Sequence, residues 1–132
     1  MTDFRIVVAA HGPLAHAMVS AAELICGTIP QVTAVALEPG SRPEDFADRL
    51  RTVLGADDRP VLVLADLFGA TPANAARVAA RGRPATWIIA NATLATLLEA
   101  VVAVDELTEE AVARLAAQGG PRVLAPAVGG MP

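Results

Sequence analysis

Residues 61–76 read VLVLADLFGATPANAA. Five apolar residues, Val61 to Ala65, run up to a carboxylate, Asp66. A tight loop, Leu67-Phe68-Gly69-Ala70, then leads to Thr71-Pro72, an N-cap and first-turn proline for a helix through Ala80. A short unbroken apolar run, rather than an alternating one, is the mark of a parallel strand buried on both faces. Residues 4–18, FRIVVAAHGPLAHAM, follow the same plan: an apolar strand over Phe4–Ala10, then His11-Gly12, then Pro13 opening a helix.

The pattern continues through the chain. Further strands are predicted at Val32–Leu37 and Thr86–Asn91, so that the third strand is Val61–Asp66. Leu14, Met18, Ala21, Ala22 and Ile25 recur at helical spacing, and Gly27 is the expected stop. Ser41-x-x-Glu44 reads as a capping box for a helix bearing Phe46, Leu50, Val53 and Leu54, ended by Gly55. Leu94–Val102 and Thr108–Gln118 are the last two predicted helices. Asp57-Asp58-Arg59-Pro60 and Arg81-Gly82-Arg83-Pro84 are polar loops leading into strands. This alternation with short connections predicts an α/β fold: a doubly wound, mainly parallel sheet in the order 2-1-3-4, helices on both faces, one domain over residues 1–132. Arg122–Val128 is a short apolar stretch whose Pro126 confines it to an edge. It adds a fifth strand either to this sheet or to that of a neighbouring subunit. The final Gly-Gly-Met-Pro is expected to fray.

Composition narrows the function. The chain of 132 residues is 54% hydrophobic, enough for a real core. No apolar run approaches the roughly 18–20 residues that cross a bilayer, and FRIVVAA is too short for a signal sequence; a cytoplasmic location is expected. Cys26, the sole cysteine, rules out an internal disulfide or a cysteine-based zinc site, and its apolar neighbours suggest a small core residue. A net charge of −4 with no basic stripe speaks against nucleic acid. All ten basic residues are arginine, so lysine phosphate cradles and Schiff-base chemistry are unavailable. GxSxG, GxxxxGK[ST] and GxGxxG motifs are absent, and no metal or cofactor is called for. A response-regulator receiver, which shares the topology, would want acidic residues at the end of strand 1 and a lysine at the end of strand 5; here His11 holds the first place and there is no lysine.

In open α/β sheets ligands bind beyond the carboxyl ends of the strands, where the strand order switches. In a 2-1-3-4 order that places His11 and Asp66 on neighbouring strands, across one crevice. A carboxylate bonded to one ring nitrogen fixes the tautomer and leaves the other nitrogen as nucleophile. Gly12 allows close backbone approach, and the following helix N-terminus offers N–H groups to an anion. A satisfied strand-end histidine is the bland alternative. Gly69 keeps the second loop open, and Thr71 either holds phosphate oxygens or is a plain N-cap. Phe68 is either a packing plug or an exposed partner contact. Asn91 either reaches the crevice or starts the next turn. His16 is read as a surface residue, and Asp57-Asp58 and Glu109-Glu110 as solvated charges.

Taken together, the opening strand with His11-Gly12, the segment Val63–Ala76 with its DLFG-x-TP-x-N core, and TWIIAN followed by Ala92-Thr93-Leu94 resemble the enzyme IIA component of the mannose family of the bacterial phosphoenolpyruvate-dependent sugar phosphotransferase system. The similarity spans nearly the whole chain. It implies that His11 is phosphorylated by the histidine-containing carrier HPr and passes the group to an enzyme IIB partner. Asp66 would be its hydrogen-bonding partner, and Thr71 would sit beside the phosphoryl group. It further implies a homodimer with exchanged C-terminal strands, and peripheral association with a membrane sugar permease through IIB. The chain departs from the family pattern at Ala70, where a second glycine is usual, at Ala73, where a bulky aromatic is common, and at Asn91-Ala92-Thr93, where Asn-Leu/Ile-Pro is commoner. Those changes fall on the rim that meets partners and spare the proposed chemical groups. Three other readings compete. One is a phosphorylation-dependent regulatory module without sugar transport. Another is the phosphotransfer subunit of dihydroxyacetone kinase, which shares the first strand and histidine but lacks the DLFG-x-TP segment. The last is a scaffold that has lost phosphotransfer, against which the intact His11–Asp66 pair argues.

Overall fold

The strands pair in the order β2-β1-β3-β4, all parallel, in a computed structural model that describes residues 3–118. They are β1 (Arg5–His11), β2 (Val32–Leu37), β3 (Val61–Ala65) and β4 (Thr86–Ile89). The helices are α1 (Leu14–Cys26), α2 (Pro43–Leu54), α3 (Thr71–Ala79), α4 (Leu94–Ala103) and α5 (Glu109–Gln118). The expected α/β architecture and strand order are borne out. The expected fifth strand around Val123–Val128 lies outside the described residues.

Alternation along each strand divides the core into two layers. Ile6, Val8 and Ala10 of β1, with Leu62 and Leu64 of β3, pack against Ala15, Met18 and Ala22 of α1, Leu97 and Ala100 of α4, and Ala111 and Leu115 of α5. Val7 and Ala9, with Val61 and Val63, pack on the opposite face against Phe46, Leu50 and Leu54 of α2 and Ala75, Ala76 and Ala79 of α3. The central strands β1 and β3 are therefore buried on both sides, which is why they read as unbroken apolar runs. Both of the edge strands, β2 and β4, are only partly buried. Arginines complete the far end of the sheet. Arg5 donates to the carbonyls of Val53 and Leu54, and Arg83 to those of Leu54, Gly55 and Asp57. Together they satisfy carbonyls left over at the C-terminus of α2, where a cation is favoured.

Four local expectations are corrected. The Ser41–Glu44 capping box does not form: α2 opens at Pro43, with Arg42 as an extended N-cap (φ −82°, ψ 144°) and no side-chain cap bond. Proline disfavours helical backbone in the residue before it, so the boundary falls at Arg42 and leaves Ser41 outside. Glu44 instead accepts a hydrogen bond from Arg42 Nε at 2.7 Å. Likewise Thr71 is the first helical residue of α3 rather than its cap, which is Ala70. The buried face of α1 is Ala15, Met18 and Ala22, while Leu14 and Ile25 are exposed. That helix is apolar on most sides, so periodicity alone could not select its inner face. Cys26 is exposed rather than in the core; it ends α1, its thiol donating to the Ala22 carbonyl at 3.2 Å.

Phe46 is fully buried where α2 meets the sheet. Phe46→Ala should lower the unfolding free energy by about 3–5 kcal/mol, read as a shifted urea midpoint at unchanged slope; a loss under about 1 kcal/mol would show that this layer collapses around the missing ring.

Candidate active site

Ala9 of β1 pairs with Ala65 of β3, so His11 and Asp66 emerge at the same carboxyl edge of the sheet. The Asp66 N–H donates to the Ala9 carbonyl at 3.3 Å, and the Gly12 N–H to the Leu37 carbonyl at 2.9 Å. These bonds hold the ends of both strands in place. Asp66 Oδ2 then accepts twice from His11, from its backbone N–H at 3.0 Å and from the ring at Nδ1 at 2.8 Å. The carboxylate is 8% exposed and the imidazole 45%. An ionised carboxylate only accepts, so Nδ1 carries the ring proton and Nε2 keeps its lone pair. The other oxygen, Asp66 Oδ1, is buried without a hydrogen-bond partner among the described residues.

Electrostatics at this edge favour an anion. α1 starts just after His11 and α3 just after the Asp66 loop. Neither helix has a side-chain cap or an acidic residue in its first turn. Every other described helix is closed in one of those ways: α2 by Glu44 and Asp45, α4 by a reciprocal Thr93–Thr96 box, α5 by Thr108 together with Glu109 and Glu110. The two bare N-termini, each with unspent N–H groups and a partial positive charge, are thus the two that flank His11. Between Asp66 and Glu99 the sequence contains no carboxylate, only Arg77, Arg81 and Arg83.

Gly12 (φ 55°) and Gly69 (φ 81°) both lie in the left-handed region, with open space where a Cβ would stand. Backbone conformation, not crowding, calls for glycine at both places. Thr71 and Gly69 come to this edge through the short loop after Asp66, and neither is hydrogen-bonded to His11 among the described residues. Phe68 at the loop tip is 79% exposed, which decides against a packing plug. His16 is exposed, as are Asp57, Asp58, Glu109 and Glu110. Asn91 reaches the site's loop: its Oδ1 accepts the Phe68 N–H at 2.8 Å. Asn74, the amide of the DLFG-x-TP-x-N segment, to which the sequence assigns no role, donates from Nδ2 to the Gly69 carbonyl at 3.1 Å. Likewise Thr93 was not foreseen as the cap of α4. Among the described residues no three His, Cys, Asp or Glu side chains converge as metal ligands, and no helix is long and apolar enough to cross a membrane.

The model of the family described as the PTS system fructose IIA component matches residues 5–116. The chain belongs to this family. The solved mannose/sorbose specific IIA subunit of the phosphotransferase system from Enterococcus faecalis is similar over 96% of this chain and 98% of its own, at 26% identity and a TM-score of 0.83. The PTS IIA protein associated with the fucose utilization operon from Streptococcus pneumoniae matches over 86% and 89%, at 25% identity and 0.73. The phosphotransferase system component EIIA from Streptococcus agalactiae shares the fold over 90% and 96%, at 24% identity and 0.77. No curated protein sequence matches significantly. The resemblance to the mannose-type IIA family is borne out, and with it a role in the phosphotransferase system as a phosphotransferase component.

The Asp66 contact predicts one tautomer. Under alkaline conditions, with the imidazole neutral, long-range proton–nitrogen NMR should find the His11 proton on Nδ1. In Asp66→Ala the tautomers should mix; a proton on Nε2 in the wild type would contradict the geometry.

Proposed function

We propose that His11 is the phosphoryl-carrying residue of a sugar phosphotransferase relay, taking the group from phospho-HPr and passing it to an enzyme IIB component. The observation that carries this reading is the buried Asp66 carboxylate on Nδ1 of a half-exposed histidine, set between two uncapped helix N-termini. In the first step the Nε2 lone pair bonds to phosphorus while the P–N bond to the carrier's histidine breaks, returning that electron pair to the carrier. Nδ1 keeps its proton throughout. The ring thereby gains positive charge, which Asp66 balances at 2.8 Å. The phosphoryl oxygens meet the N–H groups of the Gly69–Thr71 segment and of the turn after Gly12, with the Thr71 hydroxyl as a further donor. In the second step the IIB nucleophile attacks phosphorus and the Nε2–P bond breaks, regenerating neutral His11. No cofactor takes part.

Accessibility supports transfer between proteins. Leu14, Leu67 and Phe68 are exposed apolar residues on the segments that follow His11 and Asp66, a rim suited to docking partners. In this reading the chain, one domain throughout, works as a homodimer in the cytoplasm and joins a membrane permease only through IIB. The alanines at positions 70, 73 and 92 would tune which IIB it accepts.

Incubation with phosphoenolpyruvate, enzyme I and HPr should add one phosphoryl group, labile to acid and stable to alkali. His11→Ala should accept none, and Asp66→Asn should slow the transfer on the order of 10²-fold. No mass gain with a cognate HPr, or an undiminished gain in His11→Ala, would defeat the proposal.

A further inference from the structure

The β3–α3 loop is gripped from two sides by amide side chains that the transfer chemistry does not consume. From beyond β4, Asn91 Oδ1 accepts the Phe68 N–H at 2.8 Å; from α3, Asn74 Nδ2 donates to the Gly69 carbonyl at 3.1 Å. The loop's own turn bond, Ala70 N–H to the Leu67 carbonyl, is long at 3.4 Å. Both asparagines are exposed, so neither is present to fill the core. Asn91 is also the one non-glycine residue among those described with a positive φ, 57°. Asparagine is among the few side chains that adopt this conformation with ease. The next residue is tied down: the Ala92 N–H donates to the Ala65 carbonyl at 2.9 Å, at the end of β3 and just before Asp66. The left-handed turn is thus anchored to β3 while its side chain reaches over to the adjoining loop.

We propose that Asn91 and Asn74 are positioning residues, which hold loop 67–70 in the single conformation that presents Gly69 and Thr71 to a phosphoryl group on His11. The proposal rests on the phosphocarrier reading. Freezing the loop beforehand removes an ordering cost that transfer would otherwise meet, so the effect falls on the transfer step rather than on partner binding.

Three variants of the intact chain separate this role from simple stabilisation. Asn91→Gly keeps the left-handed backbone and removes the acceptor, Asn91→Ala disturbs both, and Asn74→Ala removes the donor from a helix that accepts alanine well. With phospho-HPr as donor, single-turnover phosphorylation at saturating donor should slow about ten-fold or more in both Asn91 variants and several-fold in Asn74→Ala, with unchanged half-saturation. The Phe68 amide should exchange faster with solvent in both Asn91 variants. Only Asn91→Ala should lose several degrees of melting temperature. A wild-type rate in Asn91→Gly, despite an unprotected Phe68 amide, would overturn the proposal. A rate that falls only in Asn91→Ala, in step with its melting temperature, would overturn it too, since strain alone would then explain the loss. A wild-type chain that takes no phosphoryl group from phospho-HPr would bring down the phosphocarrier reading itself, and this proposal with it.

Discussion

The parallel pairing of β1 with β3 is the constraint on which the rest depends. Their register, Ala9 opposite Ala65, decides that a histidine two residues on and a carboxylate one residue on arrive within 2.8 Å of each other. A slip by one residue would send every side chain of the shifted strand to the other layer of the core and part the two groups. Burial on both faces makes such a slip expensive, because every residue of β3 is enclosed and β1 is enclosed from Ile6 to Ala10. The precision of the site is thus inherited from the middle of the sheet, where nothing chemical happens.

Much of this is legible in the sequence. The doubly wound order followed from four short apolar runs separated by helical patterns, and His11 and Asp66 drew notice because strand ends at the switch point are where ligands gather. The features that differ from the sequence reading each have a physical cause. Helix α1 is apolar around most of its circumference, so its inner face is chosen by which residues let it approach the sheet, and small Ala15 and Ala22 win over Leu14 and Ile25. Ser41 has the right letters for a cap, yet Pro43 moves the helix start past it. Cys26 has apolar neighbours along the chain, but those neighbours are themselves outside. Asn91 and Asn74 act through bonds that span 23 and 5 residues, and the longer of these has no local pattern to announce it.

The helix N-termini are treated unequally. A good N-cap contributes roughly 0.5–2 kcal/mol, and the chain takes that contribution at α4 and α5 while forgoing it at α1, α2 and α3; of these three only α2 has carboxylates in its first turn. A carboxylate in either first turn would stabilise the empty protein and repel an incoming anion. The membership of the chain in a phosphotransferase family fits that distribution.

Cys26 brings a different consequence. It is a lone, exposed thiol at the end of the 13-residue helix that begins beside His11, about 20 Å from that start at 1.5 Å per residue. A chain without lysine is also silent to amine-directed reagents except at its N-terminus. The molecule therefore carries a built-in attachment point for a single reporter group, near enough to the histidine for energy-transfer distances and far enough to leave its rim clear. Each protein that visits the site could be timed and measured from there.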